Sequence, residues 1–326
     1  MRDLRALPKA HLHLHLEATM RQQTLAEFAA ESGVPAPPVG EAGDFTEFSA
    51  KYLRLAALMT TPERAVRLID EAVEDAAVEG AVVVELATTP TWYVPVFGSL
   101  DAAIEALATA AADAGGRYGV WVGLIVAINR MGTAEEALEL ASLATRFAGR
   151  GVVGLGLHSD ERGYPAADFV DAFELARDAG LMSVPHAGEL VGPESVWQAI
   201  DLLGADRVQH GVRSIEDAGL VAELAKRGIV LDVCPTSNYL LGVVPNLAEH
   251  PLPKLLAAGV RCSINADDPT LFGPGILEEY ELCRATLGLD DETLAECARN
   301  SIKASGAPSD VKDASLSGID AWLAGA

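Results

Sequence analysis

Short aliphatic runs alternate along this chain with long Ala/Leu/Glu-rich segments of helical spacing, and no other feature restricts its fold so strongly. Strand-length runs separated by helix-length ones build βαβ units, and βαβ units build parallel sheets. The pattern predicts strands over residues 11–16, 82–86, 120–127, 152–157, 182–186, 207–210, 229–233 and 260–265. Most are almost continuously apolar, as strands must be when helices cover one side and a packed interior the other. Eight such runs match a (β/α)8 barrel, typically of about 250 residues. A doubly wound open sheet is the rival that periodicity alone leaves standing. Helices are predicted over 62–79, 100–114, 134–147, 166–179 and 215–227. Gly80, Gly180, Gly228 and Gly259 follow helical segments, where a residue able to turn left-handed ends the helix. The one irregular stretch, 33–44, reads as a surface loop, with a lid as the alternative. The sequence is read as a single domain over 1–326, without internal repeats.

The polar residues that stand out are not scattered. They sit at the C-terminal ends of the predicted strands: His13, His15 and Glu17, then His158 through Glu161, then His186 with Glu189, then His210, and last Asp267 with Asp268. In a barrel those ends open on one face, so groups distant in sequence converge there. In 11–15, three histidines alternate with two leucines, which puts the imidazoles on one strand face about 7 Å apart. Two such rings can close on one ion at Zn–N distances of about 2.0–2.1 Å, although three leave the register open. His186-Ala187-Gly188-Glu189 supplies a strand-end histidine and, after a turn, an acid/base candidate. His210 ends another strand, where a buried neutral histidine satisfied in the core is an equal alternative. Asp267 and Asp268 are adjacent carboxylates at the end of an apolar run, costly to desolvate together without a cation. Asp268 could instead cap the segment that begins at Pro269.

Bulk properties narrow the partners. A net charge of −23 and a pI near 4.6 repel phosphate backbones and anionic lipid, which argues against nucleic acid and membrane surfaces. The N-terminal segment lacks the apolar core of a secretory signal, and no run reaches the roughly 20 apolar residues of a membrane span. Cys234, Cys262, Cys283 and Cys297 show no paired spacing and read as free thiols, consistent with a cytoplasmic setting.

Six segments then coincide with one known family. They are 8–17 (PKAHLHLHLE), 153–161 (VGLGLHSDE), 186–189 (HAGE), 209–211 (QHG), 234–238 (CPTSN) and 266–269 (ADDP). In this order and spacing, across almost the whole chain, they resemble the adenosine deaminases of the amidohydrolase superfamily. The resemblance implies a (β/α)8 TIM barrel of the metal-dependent hydrolase type, holding one Zn2+ per chain. It makes His13, His15, His186 and Asp267 the metal ligands and sets His11 aside. A set of three histidines and one aspartate keeps an open position, as a catalytic zinc requires. The cytidine-deaminase signature of HxE with PCxxC is absent.

The same resemblance implies hydrolytic deamination at C6 of a 6-aminopurine nucleoside, adenosine or deoxyadenosine. Glu189 is expected to protonate N1, His210 to orient the attacking water and stabilise its deprotonated form, and Asp267 to hold that water as well as the metal. Asp268 is expected to reach N7, and the backbone at Ser159 to face N3. His15 and Glu17 complete the expected substrate contacts. Departures concern specificity. Glu17-Ala18 stands where the family has Asp-Gly against the ribose 5′-hydroxyl, and His158-Ser159 stands where small residues are usual. A 5′-modified adenosine such as aminodeoxyfutalosine, or free adenine, is therefore the alternative substrate. A two-metal lactonase barrel needs a lysine at the end of the fourth strand, and this chain has none there. A catalytically dead nucleoside-binding protein is the remote alternative, since every catalytic residue type is present.

Overall fold

A computed structural model describes residues 1–40 and 43–325. Nine strand segments, all paired in parallel, form its centre: β1 (Lys9–His15), β2 (Ala81–Thr88), β3 (Trp121–Asn129), β4 (Val152–His158), β5 (Met182–Ser183), β6 (His186–Ala187), β7 (Arg207–His210), β8 (Val230–Val233) and β9 (Arg261–Ile264). They pair in the orders β1-β2-β3-β4-β5 and β6-β7-β8-β9. Two seams join these sheets. At one, Leu14 bridges Asp267 beyond the end of β9, with the N–H of His15 donating to the Asp267 carbonyl and that of Asp267 to the His13 carbonyl, each 3.1 Å. At the other, Val184 donates to Leu155 of β4 while the Pro185 carbonyl accepts from Gln209 of β7. The sheet closes on itself. It is a (β/α)8 barrel, and the open-sheet alternative is excluded.

The predicted strand 182–186 is the one that differs in kind. Pro185, whose carbonyl faces β7, has no N–H to give to that strand, so regular pairing stops there: Met182–Ser183 pairs with β4 and His186–Ala187 with β7. Elsewhere boundaries shift by up to two residues, and the helix predicted over 100–114 runs on to Tyr118. The helices predicted over 166–179 and 215–227 begin as 3₁₀ turns, Ala166–Phe169 and Val212–Glu216. The second ends at Asp217, an extended residue whose carboxylate accepts from Gly219 and Leu220 and caps the helix Ala218–Arg227. Gly80, Gly180, Gly228 and Gly259 all have positive φ, as their helix-ending role demands. In the irregular segment 33–44, Gly40 donates to Leu271, which ties the loop to the top of the barrel; residues 41 and 42 lie outside the described residues.

Several helices lie outside the predicted ones, among them Pro193–Asp201 and Ile276–Ala285. The helix Phe45–Ala56, capped by Asp44, lies beside the C-terminal mouth of the barrel. The helices Asp291–Ala304 and Ser309–Ala324 end the chain, and Ser301 Oγ accepts from Ala10 of β1. The barrel floor is ionic. Fully buried Arg207 meets Glu85 at 2.6 Å and Asp232 at 3.0 Å, and Ser263 donates to Asp232 at 2.6 Å. Breaking such a buried pair leaves a charge uncompensated, at about 3–5 kcal/mol. No single helix among the described residues is long and apolar enough to cross a membrane.

Candidate active site

The strand ends place the expected residues together. His13 Nε2 lies 3.1 Å from His186 Nε2 and 3.1 Å from Asp267 Oδ1, and His15 Nε2 lies 3.1 Å from the same oxygen. All four side chains are buried. One shared proton could bridge a single one of these contacts, so several lone pairs face one another with nothing between them. Two ligand atoms held at about 2.0–2.1 Å and a tetrahedral angle would stand about 3.3 Å apart, close to the spacing found. Asp267 Oδ1 and His186 Nδ1 have no hydrogen-bond partner among the described residues. Burial opposes protonation of His13, yet Asp267 outweighs it and raises that pKa, so the carboxylate draws positive charge to this point. Burial and the neighbouring imidazoles keep His186 neutral, with a lone pair free for a metal. The donor set fits a divalent cation of the zinc type.

By distance alone the donor atoms fall into two groups: those of His13, His186, His210 and Asp267 lie within 4.8 Å of one another, and so do those of His15, Asp267 and Asp268. Hydrogen bonding separates His13 from His210. His13 Nδ1 is 3.0 Å from the Asp232 carbonyl, which can only accept, so this nitrogen carries the proton and Nε2 is the free donor atom. His210 Nδ1 instead faces the Asn238 side-chain amide nitrogen at 3.1 Å, so its Nε2 carries the proton and is unsuited to a metal. That Nε2 points toward Glu189 Oε1 at 3.5 Å and Asp267 Oδ2 at 3.8 Å. His11 belongs to neither set: a register shift after it breaks the alternation, and its Nε2 accepts from Ala266 N–H.

Glu189 is held by a residue whose role the sequence did not disclose. Glu161 Oε1 accepts from Gly188 N–H and Ser195 Oγ, and its Oε2 from the N–H groups of Glu189, Leu190 and Val191, all between 2.6 and 3.0 Å. Burial, then the negative charges of Asp267 and Glu161, push the Glu189 carboxyl well above the usual range, which favours its acid form. Asp268 is pushed up in the same way by burial and by Asp267. Its side chain makes no cap to the helix Pro269–Phe272, so the capping alternative fails. Ser159, His210 and Asp267 are the non-glycine residues with positive φ among those described, at 81°, 63° and 65°. Such residues cost about 1–3 kcal/mol each and cluster at functional sites; here they lie at three strand ends.

Above the cluster is a cavity of about 280 Å³. His15, His186, Glu189, His210, Asp267, Asp268, His158 and Ser159 line its floor, and Phe45, Phe48, Tyr52, Leu53, Trp92, Met131 and Leu241 its walls. Glu17 also borders it but is fully buried and heavily bonded. Its Oε1 accepts from Thr88 at 2.8 Å and Tyr93 at 2.9 Å, and its Oε2 from Tyr52 at 2.7 Å. No lysine or arginine is among the lining residues.

A closed parallel barrel with buried histidines and an aspartate gathered at its C-terminal mouth defines a metal-dependent hydrolase of the amidohydrolase type. The profile of the adenosine deaminase family matches residues 8–322, and the chain belongs to that family. It is 42% identical over 339 residues to a "putative adenosine/adenine deaminase" of Streptomyces coelicolor, covering 99% of this chain and 98% of that one. It is 37% identical over 343 residues to an aminodeoxyfutalosine deaminase of the same organism, covering 99% and 88%. Among solved structures, it is similar to the adenine deaminase of Arthrobacter aurescens, with TM-score 0.90, 30% identity and coverage of 98% and 99%. It is also similar to an amidohydrolase of Burkholderia ambifaria with bound Zn, with TM-score 0.87, 31% identity and coverage of 99% and 93%. The chain is an enzyme, a deaminase that uses a metal.

Proposed function

We propose that this deaminase removes the C6 amino group of a 6-aminopurine that carries no phosphate, using one zinc ion held by His13, His15, His186 and Asp267. The observation that carries this reading is the cavity that brings the Glu189 carboxyl, whose acid form burial favours, beside His210 Nε2 and the cluster. Zinc bound there would supply a Lewis acid that lowers the pKa of water from 15.7 toward about 7. The remaining chemistry belongs to the chain. Glu189 gives its proton to N1, which removes the ring's resistance to addition at C6. His210 Nε2–H donates to the attacking oxygen, orienting it and stabilising negative charge on it. Asp267 Oδ2 accepts that oxygen's remaining hydrogen. Asp268, kept protonated by its surroundings, donates to N7, and the Ser159 backbone faces N3. His15 closes the floor of the cavity. Over the cycle the first proton lost by the water restores the Glu189 acid, and the hydrogen taken by Asp267 passes to the amino group, which leaves as ammonia from a 6-oxopurine that keeps its proton on N1.

Two features bear on which 6-aminopurine. A phosphate in a cavity without lysine or arginine would lose hydration without gaining a counter-charge, which disfavours nucleotides. Three hydroxyl donors already occupy Glu17, so it has at most about one acceptor position left for a ribose 5′-hydroxyl. That favours free adenine or a 5′-modified nucleoside over adenosine itself. The test is a panel of adenine, adenosine, deoxyadenosine, 5′-methylthioadenosine, aminodeoxyfutalosine and AMP, followed by loss of the 6-aminopurine absorbance with zinc-loaded protein. Turnover of one or more unphosphorylated compounds is expected. Inactivity toward all six, or a preference for AMP, would sink the reading.

A further inference from the structure

Behind His210, away from the cavity, three buried side chains form a directed chain of hydrogen bonds. Leu252 N–H donates to His250 Nδ1 at 3.1 Å. His250 Nε2 lies 3.2 Å from Asn238 Oδ1, and Asn238 Nδ2 lies 3.1 Å from His210 Nδ1. His210, Asn238 and His250 are each 2% exposed or less, so water does not compete for these bonds.

The direction of the chain follows from its first member. A backbone N–H can only donate, so His250 Nδ1 must be the unprotonated nitrogen. Burial pushes the His250 pKa down to about 4, so the ring is neutral and carries its one proton on Nε2. That proton goes to Asn238 Oδ1. An Asn238 amide turned the other way would set N–H against N–H at His250, so its orientation is fixed, and its nitrogen donates to His210 Nδ1. His210 is left with its proton on Nε2, on the side of the cavity.

We infer that Asn238 and His250 are positioning residues which lock His210 in the Nε2–H form, anchored to the backbone at Leu252, so that it serves as a hydrogen-bond donor and not as a proton acceptor. Both come from the segment between β8 and β9, and neither borders the cavity. A neutral imidazole is otherwise free to place its proton on either nitrogen. The wrong form would present a lone pair to the attacking oxygen and remove the donor.

The catalytic part of this inference rests on the role proposed above for His210, so the test reads the tautomer separately from turnover. Zinc-loaded protein labelled with ¹⁵N-histidine is examined by long-range ¹H–¹⁵N correlation, with a His210→Gln variant to assign the ring. The expected pattern is a protonated Nε2 and an unprotonated Nδ1 at both His210 and His250. Asn238→Asp removes the donor and offers only acceptors. The His210 proton should move to Nδ1, with kcat falling about 10²–10³-fold, the usual loss for one transition-state donor, while KM and zinc content stay within about threefold. His250→Phe, which frees the amide to turn, should lose more than about tenfold, and His250→Gln, which keeps an N–H for Asn238, less than that. A native His210 protonated on Nδ1 overturns the inference even if Asn238→Asp fails to fold. So does a folded, zinc-replete Asn238→Asp protein with kcat within about threefold of native. If the native protein turns over no 6-aminopurine yet shows the Nε2–H form, the reaction proposed is wrong and the tautomer lock stands.

Discussion

The carboxylate of Glu161 lies directly beneath the backbone of Glu189, accepting its N–H at 3.0 Å and those of Leu190 and Val191 through the same oxygen. The other oxygen takes Gly188 and Ser195. One buried side chain therefore sets the path of the loop that carries the proposed acid, and its charge helps keep that acid protonated.

Glu161→Gln should show how much this matters. Glutamine has one accepting oxygen, and its NH2 would face backbone N–H groups that have no other partner. We expect kcat to fall about 10–100-fold and stability by about 1.5–3 kcal/mol, with the zinc content unchanged. Turnover and thermal unfolding at native level would mean that the loop holds its own shape.

Glu189→Gln keeps the size and burial of the side chain and removes the transferable proton. Turnover should drop by about 10²–10⁴-fold while zinc binding and substrate affinity persist. Near-native turnover in a zinc-replete variant would take Glu189 out of the proton transfer.

The sequence made the fold legible because barrel strands are covered on both sides and so read as apolar runs. It made the site's floor legible because His13, His15, His186, His210, Asp267 and Asp268 interrupt those runs at their ends. Side-chain partners between distant segments were another matter. Glu17 reads as a residue offered to substrate, yet Tyr52, Thr88 and Tyr93 occupy most of it, and nothing local to Glu17 announces them. Glu161 and Asn238 lie inside the segments that carry the family resemblance, but their tasks depend on groups across 34 and 28 positions. His250, a lone histidine before Pro251, carried no local signal of its role. The positive φ of His210 and Asp267 was equally hidden, since glycine is the residue that advertises such a turn; at Ser159, where the resembled family usually has glycine, that departure was the one signal. The break between β5 and β6 had a local signal in Pro185, yet the apolar run around it was read as one strand over 182–186.

Metal removal tests the cluster as a unit. Chelation should abolish turnover and lower the unfolding temperature, because an ion that binds only the folded state stabilises it by about 4 kcal/mol when free at a thousandfold its Kd. Re-addition should restore both at one zinc per chain, measured by elemental analysis. Full activity in metal-free protein, or a stoichiometry of two, would contradict the proposed ligand set.

Glu279 offers a test of stability that is independent of turnover. It is fully buried in the helix Ile276–Ala285; its Oε2 accepts from Thr236 N–H at 3.3 Å, and its Oε1 has no partner among the described residues. Burial pushes its carboxyl up to about 8, so the folded protein holds a proton there that the unfolded chain releases near its ordinary value of 4.5. The folded state is then the better proton binder between these two values. The contribution of Glu279 to stability is greatest below about 4.5, is lost by about 1.4 kcal/mol per pH unit as the pH rises toward 8, and changes no further above it. Glu279→Gln keeps an acceptor for Thr236 and has nothing to ionise. The variant should therefore lose less stability than the native protein between pH 5 and pH 8, with a gap of a few kcal/mol, order of magnitude, in denaturant unfolding at the upper end. Parallel pH profiles for the two proteins would show that Glu279 is ionised in the folded state, contrary to its burial.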